Sequence, residues 1–239
     1  MKASIILSTF FMLFCAGVWA QHSAVPVFEN DSIAIYRVDS ISFFSEKNKY
    51  PSPGDTVAYI RDFSQAKKML VGVVDFDASD ISYQQSPIRV HARNGKEIDL
   101  KETVYYQEAY FDRYYPSEDI VLFEAGHSSD FSINLKTGEM GAERVGNPYY
   151  IRYSPKKLFR VNGYFPGQEC SSYFLQQQIG QDSYRYYAAI PIHLSDEGFD
   201  LCYIEDLFWI SDREMYFRNF FYGAQSERLG FFRLKIKGI

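Results

Sequence analysis

The chain has 239 residues, 46% of them hydrophobic and 23% charged, with 21 Phe and 20 Tyr. That aromatic content excludes a disordered chain, and the composition also excludes the collagenous, low-complexity and coiled-coil classes. Asp and Glu (30) outnumber Lys and Arg (25) for a formal net charge of −5, which argues against a nucleic-acid partner.

In chain order, residues 1–20 read as a secretory signal peptide. Lys2 precedes an apolar run from Ala3 to Ala20, and Val18-Trp19-Ala20 supplies a cleavage site before Gln21. An uncleaved anchor is the alternative, but no basic stop-transfer cluster follows the run. Residues 21–239 then form a single β-rich domain, exported to the periplasm or the extracellular space with no stable membrane anchor after cleavage. Cleavage also removes Cys15 and leaves Cys170 and Cys202 as an even pair in a compartment where disulfides persist. A bridge between them would remove on the order of 3–4 kcal/mol of unfolded-chain entropy. Two reduced, buried thiols are the alternative.

Period-two alternation and enrichment in β-branched and aromatic residues predict strands at 32–38, 57–63, 69–76, 88–92, 120–124, 131–135, 158–164, 173–178, 184–194, 215–222 and 229–236. Pro191 marks an edge or a bulge in its run. Helical periodicity is weak throughout. Asn94-Gly95 predicts a type I′ hairpin turn, because both residues tolerate positive φ. The stretch 101–115 is either a short helix or an irregular aromatic loop.

Several local patterns carry chemistry only weakly. Asp75-Phe76-Asp77-Ala78-Ser79-Asp80 begins like a calcium loop, but Asp80 stands where the EF-hand needs Gly and Ser86 where it needs Glu, so a solvated turn is the better reading. Gly126-His127-Ser128-Ser129-Asp130 gathers an imidazole, hydroxyls and a carboxylate, yet neighbours in one turn point apart and no nucleophile elbow exists; a hairpin turn is expected. The acidic stretch Asp196, Glu197, Asp200, Glu205 and Asp206 offers carboxylates to a glycosidase, or simply a solvated loop. The histidines are isolated and no glycine-rich phosphate loop is present, so neither a metal nor a cofactor is expected.

Residues 154–179 align without gaps on 211–236, matching Ser154 with Ser211, Asn162 with Asn219, Gln168 with Gln225, Phe174 with Phe231 and Ile179 with Ile236. A fainter third copy begins at Tyr115-Pro116-Ser117. The unit is a turn, a strand, a long loop and a strand. Asn134-Leu135-Lys136-Thr137-Gly138-Glu139, followed by Tyr153-Ser154-Pro155-Lys156-Lys157, resembles the junction between blades of a β-propeller. Phe208-Trp209-Ile210-Ser211-Asp212 is similar to a blade opening. The likeness covers about 131–236, with blade-like repeats near 115–236, and departs from the family in its unequal spacing and in the absence of a copy in the first hundred residues. It implies an all-β fold of antiparallel sheets, propeller-like or an incomplete propeller; a β-sandwich is the alternative.

Tyrosine doublets are the remaining lead. Neighbouring side chains in a strand face opposite ways, so a doublet such as Tyr105-Tyr106, Tyr110-Phe111 or Tyr186-Tyr187 should place one ring outside the core. Exposed tyrosines suit recognition. The candidate binding residues are Tyr114, Tyr115, Tyr149, Tyr150 and Trp209. The expected function is binding of a protein partner outside the cytoplasm, as an inhibitor or immunity-type protein, with no catalysis evident. A carbohydrate-binding module or a carboxylate-dependent glycoside hydrolase, with a glycan partner, is the alternative.

Overall fold

Short alternating runs bounded by turns become antiparallel strands across the residues that the computed structural model describes: 25–50, 57–77, 85–103, 109–167, 170–181, 183–194, 199–219 and 230–238. Strands β1 (Phe28–Glu29) and β2 (Ile33–Val38) lead into helix α1 (Ser40–Lys49). Helix α2 (Phe63–Met69) precedes a first sheet of β3 (Val74–Phe76), β4 (Pro87–His91) and β5 (Glu97–Asp99). The second sheet runs through β6 (Tyr110–Tyr115), β7 (Ile120–Ala125), β8 (Ser129–Asn134) and β9 (Glu139–Met140), and the short helix α3 (Ala142–Val145) follows it. The third holds β10 (Arg152–Tyr153), β11 (Phe159–Tyr164), β12 (Ser172–Gly180) and β13 (Ser183–Ile190). A ribbon of β14 (His193–Leu194) and β15 (Phe199–Asp200) leads to the last sheet, β16 (Ile204–Ser211), β17 (Glu214–Asn219) and β18 (Gly230–Ile236).

The protein is therefore mostly β, built of antiparallel meanders taken in chain order. The last sheet is completed by the opposite end of the chain: β2 pairs antiparallel with β18, and β1 pairs with β2. Apolar faces of the third and last sheets share one core, in which Ile33, Leu175, Phe217 and Leu234 are fully buried. The first and second sheets share another with α2, built on Leu70, Val90, Phe123 and Ile133. Burying each such side chain contributes about 1.5–3 kcal/mol. The second and third sheets meet through buried polar groups instead, among them Asn147, Arg160, Asn162 and Gln176. Such a layer is tolerated because its members bond one another: Arg160 Nε donates to Gln176 Oε1 at 2.6 Å and Asn162 Nδ2 to the Val145 carbonyl at 3.1 Å.

Several expectations need correction. The two main helices were not legible as periodic stretches. In α1 only Phe43 is buried, against Phe208 and Phe231, while Ile41 and Phe44 face solvent, so no apolar stripe exists to be seen. Its start is set by capping: Asp39 accepts from Ser42 N at 2.8 Å. The run 57–63 is not a strand, because Ile60 makes only an isolated bridge to Tyr114 and Asp62 caps α2. Between β4 and β5, Gly95 has φ +87° but Asn94 does not have positive φ. Gly95 N bonds to the Ala92 carbonyl and Ala92 N to that of Lys96, so the hairpin uses a type I turn with a glycine bulge rather than type I′. In 101–115, the end is strand β6, and 104–108 lie outside the described residues. The strand at 184–194 stops at Ile190, and a bulge at Tyr187 shifts its alternation.

Candidate functional site

A hydrogen-bonded turn presents the tyrosines that matter most. The Pro148–Tyr150 turn has 3-10 geometry, with proline where no backbone donor is needed, and Asn147 caps it by accepting from Tyr149 N at 3.0 Å. The same Asn147 Oδ1 accepts from the Tyr115 hydroxyl at 3.1 Å, and its Nδ2 donates to Asp130 Oδ2 at 3.0 Å. Asp130 also accepts from Phe165 N at 2.7 Å, and burial raises its carboxyl above the ordinary value. Just before the turn, Gly146 sits at φ +78°, and a Cβ there would lie 2.3 Å from Asn162 Nδ2. Only glycine satisfies both conditions.

The turn places Tyr150 against Tyr149 and Tyr173, with ring centroids 5.5 Å apart in each pair and near-perpendicular planes. These rings line a cavity of about 440 Å³, closed on its other side by Tyr203, Glu205 and Asp206 of the β16 segment. Tyr150 shares a hydrogen bond with Ser171 Oγ at 3.0 Å, and burial pushes its phenol up to about 12. Tyr173 accepts from Ile204 N at 3.2 Å. Outside the cavity mouth the aromatic surface continues. The Arg113 guanidinium lies 4.9 Å from the Tyr59 ring centroid and 6.0 Å from that of Tyr149. Tyr59, Tyr149 and Tyr203 are 48%, 53% and 38% exposed, so an Arg-Tyr track leads over the surface into the cavity.

A bulge shapes the far wall. Glu205 faces Arg218 and Phe208 faces Tyr216, so Asp206 and Leu207 together oppose one residue of β17, and Asp206 takes φ +48°. Arg218 bonds Glu205 at 3.1 Å and Asp206 at 2.8 Å, and Lys47 reaches Asp206 at 2.8 Å. Arg152 donates to the carbonyls of Tyr149 and Ile151 at 3.1 and 2.7 Å. The carboxylates of the wall are thus paired with cations, while the Arg152 guanidinium is held by neutral carbonyls.

Of the residues singled out in the sequence, Tyr149 and Tyr150 line this cavity. Tyr114 and Tyr115 are both buried in spite of forming a doublet; Tyr114 donates to Asp119 at 3.1 Å, and burial pushes the Tyr115 phenol up to about 12. Trp209 is 7% exposed in the core shared by the third and last sheets, and its Nε1 donates to the Arg152 carbonyl beside the cavity. Tyr115, through Asn147, and Trp209, through Arg152, support the site from inside, whereas Tyr114 belongs to the core of the first and second sheets. Tyr110-Phe111 and Tyr186-Tyr187 do split between surface and core; Tyr105-Tyr106 lie outside the described residues. Tyr59, Arg113, Tyr173 and Tyr203 escaped the sequence reading. Only Tyr203 carried a signal, as the neighbour of a half-cystine.

The other patterns resolve locally. Asp75 bonds His91 at 3.0 Å, and 78–80 lie outside the described residues. Among the described residues no group of His, Cys, Asp or Glu is arranged to hold a metal ion. Gly126–Ser128 is a 3-10 turn joining β7 to β8, as a hairpin there requires, and Asp130 serves Asn147. Asp196 and Glu197, with the Asp200 side chain, lie outside the described residues. Cys170 and Cys202 form a disulfide, with Cα atoms 4.5 Å apart. No described helix is long and apolar enough to cross a membrane, and residues 1–20 are not described.

Fold and site together define a mostly β protein of consecutive antiparallel sheets with a tyrosine-lined cavity between two of them. Comparison with protein-family models, curated proteins and solved structures finds no match for the chain.

Proposed function

We propose that this is an exported binding protein that grips a protein partner through the Arg-Tyr track and its adjoining cavity, in the manner of an inhibitor or immunity protein. The observation that carries the reading is the continuity of exposed Tyr59 and Tyr149, bridged by the half-buried Arg113, with the cavity rings Tyr150, Tyr173 and Tyr203. Tyrosine and arginine dominate protein-binding hot spots because they combine large contact area with directional polar groups and few rotors. The cavity volume suits a single projecting group of the partner. We further propose a propeller-like arrangement of the sheets. The order of the meanders and the pairing of β2 with β18, which joins the two ends of the chain in one sheet, support it.

A second reading, glycan binding, is favoured by the pairing of the wall carboxylates with Arg218 and Lys47, which leaves rings and hydrogen-bonding groups to meet a neutral sugar. Its hydrolase form needs two opposed carboxylates roughly 5–10 Å apart. Glu205 and Asp206 are sequence neighbours that share Arg218 and do not form such an opposed pair. Capture with the protein lacking residues 1–20, from the native envelope and secreted fractions, tests the proposal. A stoichiometric protein partner, lost with Tyr149→Ala and Tyr203→Ala, is expected. Binding on a glycan array with no protein captured would replace the first reading by the second.

A further inference from the structure

The disulfide joins the two walls of the cavity. Cys170 is followed by Ser171 and strand β12, and Cys202 by Tyr203 and strand β16; Ser171 and Tyr203 both line the cavity. These walls lead into different sheets: Tyr173 stands on the third, with Ser171 just before its strand and Tyr150 on the turn ahead of β10, while Ile204 and Asp206 stand on the last, with Tyr203 just before it. Beside the disulfide, the hydrogen bond from Ile204 N to the Tyr173 hydroxyl ties the walls, and at 3.2 Å it is a long one. Away from the cavity lining, the two sheets are held by the apolar core of Leu175, Phe217 and Leu234, which does not involve the cysteines. The cross-link therefore joins segments that directly abut the cavity lining, while the core that holds the sheets together lies elsewhere.

We infer that the Cys170–Cys202 disulfide is a strut that sets the shape of the recognition cavity, and that its reduction opens the cavity while leaving the sheets folded. The inference rests on the cavity being the recognition site. The chemistry is two-electron thiol–disulfide exchange: an external dithiol delivers two electrons and two protons, the S–S bond becomes two thiols, and the dithiol leaves as its own disulfide. Recognition would then belong to the oxidised form, the one favoured in an exported setting.

Hydrogen–deuterium exchange on the full chain tests this without any ligand. Oxidised protein is compared with dithiothreitol-treated protein and with the double variant Cys170→Ser, Cys202→Ser. Amides of 171–173 and 203–206 are expected to exchange at least about tenfold faster once the bond is gone, while those of Leu175 and Phe217 change by less than about twofold. Unchanged exchange at the walls would overturn the strut. So would exchange rising together throughout the chain, because the disulfide would then hold the fold rather than the cavity. Should the double variant not fold, treated wild-type protein gives the same decision. Loss of the Arg-Tyr recognition reading shows instead in the capture experiment, with the strut intact.

Discussion

Asn147 serves three partners at once, the Tyr149 amide, the Tyr115 hydroxyl and the Asp130 carboxylate. Removing it orphans buried groups on two sheets, so Asn147→Ala is expected to destabilise by about 2–4 kcal/mol in urea titration, more than a simple cap loss of about 1 kcal/mol. A cost near 1 kcal/mol would mean that the network is not cooperative. His91 offers a pH test. It lies between Asp75 at 3.0 Å and Glu97 at 3.3 Å, and the hydrogen bond to Asp75, ahead of the pull of Glu97, raises the imidazole above its ordinary value. The unfolded chain titrates near about 6.5. A raised folded value means that these contacts stabilise fully below that pH, and that the gain fades as pH rises through the folded value. The urea midpoints of wild type and His91→Asn should converge on going from mildly acidic to alkaline pH. An NMR titration placing His91 at or below its unfolded value would reverse the argument.

At the scale of elements, α1 shows cap and packing acting with different weight. Asp39→Ala removes one exposed cap and should lower the unfolding midpoint only slightly. Phe43→Ala empties a fully buried ring site among Phe208, Tyr216 and Phe231, and should cost about 3–5 kcal/mol. Thermal unfolding of the two variants decides the ranking; equal losses would imply that α1 is held by its ends. The aligned segments 154–179 and 211–236 each hold an antiparallel strand pair, β11 with β12 and β17 with β18, with a fully buried asparagine in its first strand, but the registers differ by one residue: Asn162 faces Phe174 and Asn219 faces Gly230. Alternation and turn residues made most strands readable because they are local properties of a half-buried pleat. The tyrosine doublets were less readable: Tyr114 and Tyr115 are both covered because other elements lie over each face, and Pro148 puts Tyr149 and Tyr150 on a tight turn rather than a strand.

Across the whole molecule, acidic turn residues link neighbouring sheets in sequence. Asp119 in the turn after β6 holds Arg93 of the first sheet at 2.9 Å, Glu118 holds Arg160 and Tyr153 of the third at 2.6 Å, and Asp212 holds Ser154 and Lys156 from the last at 2.7 Å. The Arg160–Glu118 pair is nearly water-free, with side chains 5% and 12% exposed. Glu118→Ala strands a buried guanidinium and should cost about 3–5 kcal/mol, whereas replacing both partners by apolar residues removes the unpaired charge. The double variant Glu118→Leu, Arg160→Met is therefore expected to be more stable than Glu118→Ala alone, as read by urea midpoints. Additive losses would show that the pair carries no coupling across the sheets.

Composition, alternation and turn chemistry by themselves determined a mostly β chain, because strand patterning is written locally. Which cysteine neighbours face each other, and which tyrosines share a cavity, depended on strands far apart in sequence packing face to face. Tyr59, Arg113, Tyr149 and Tyr203 meet only because three sheets and a capped turn converge there. Period-two patterning fixes the face of a strand, and it is silent on which other strand that face will meet.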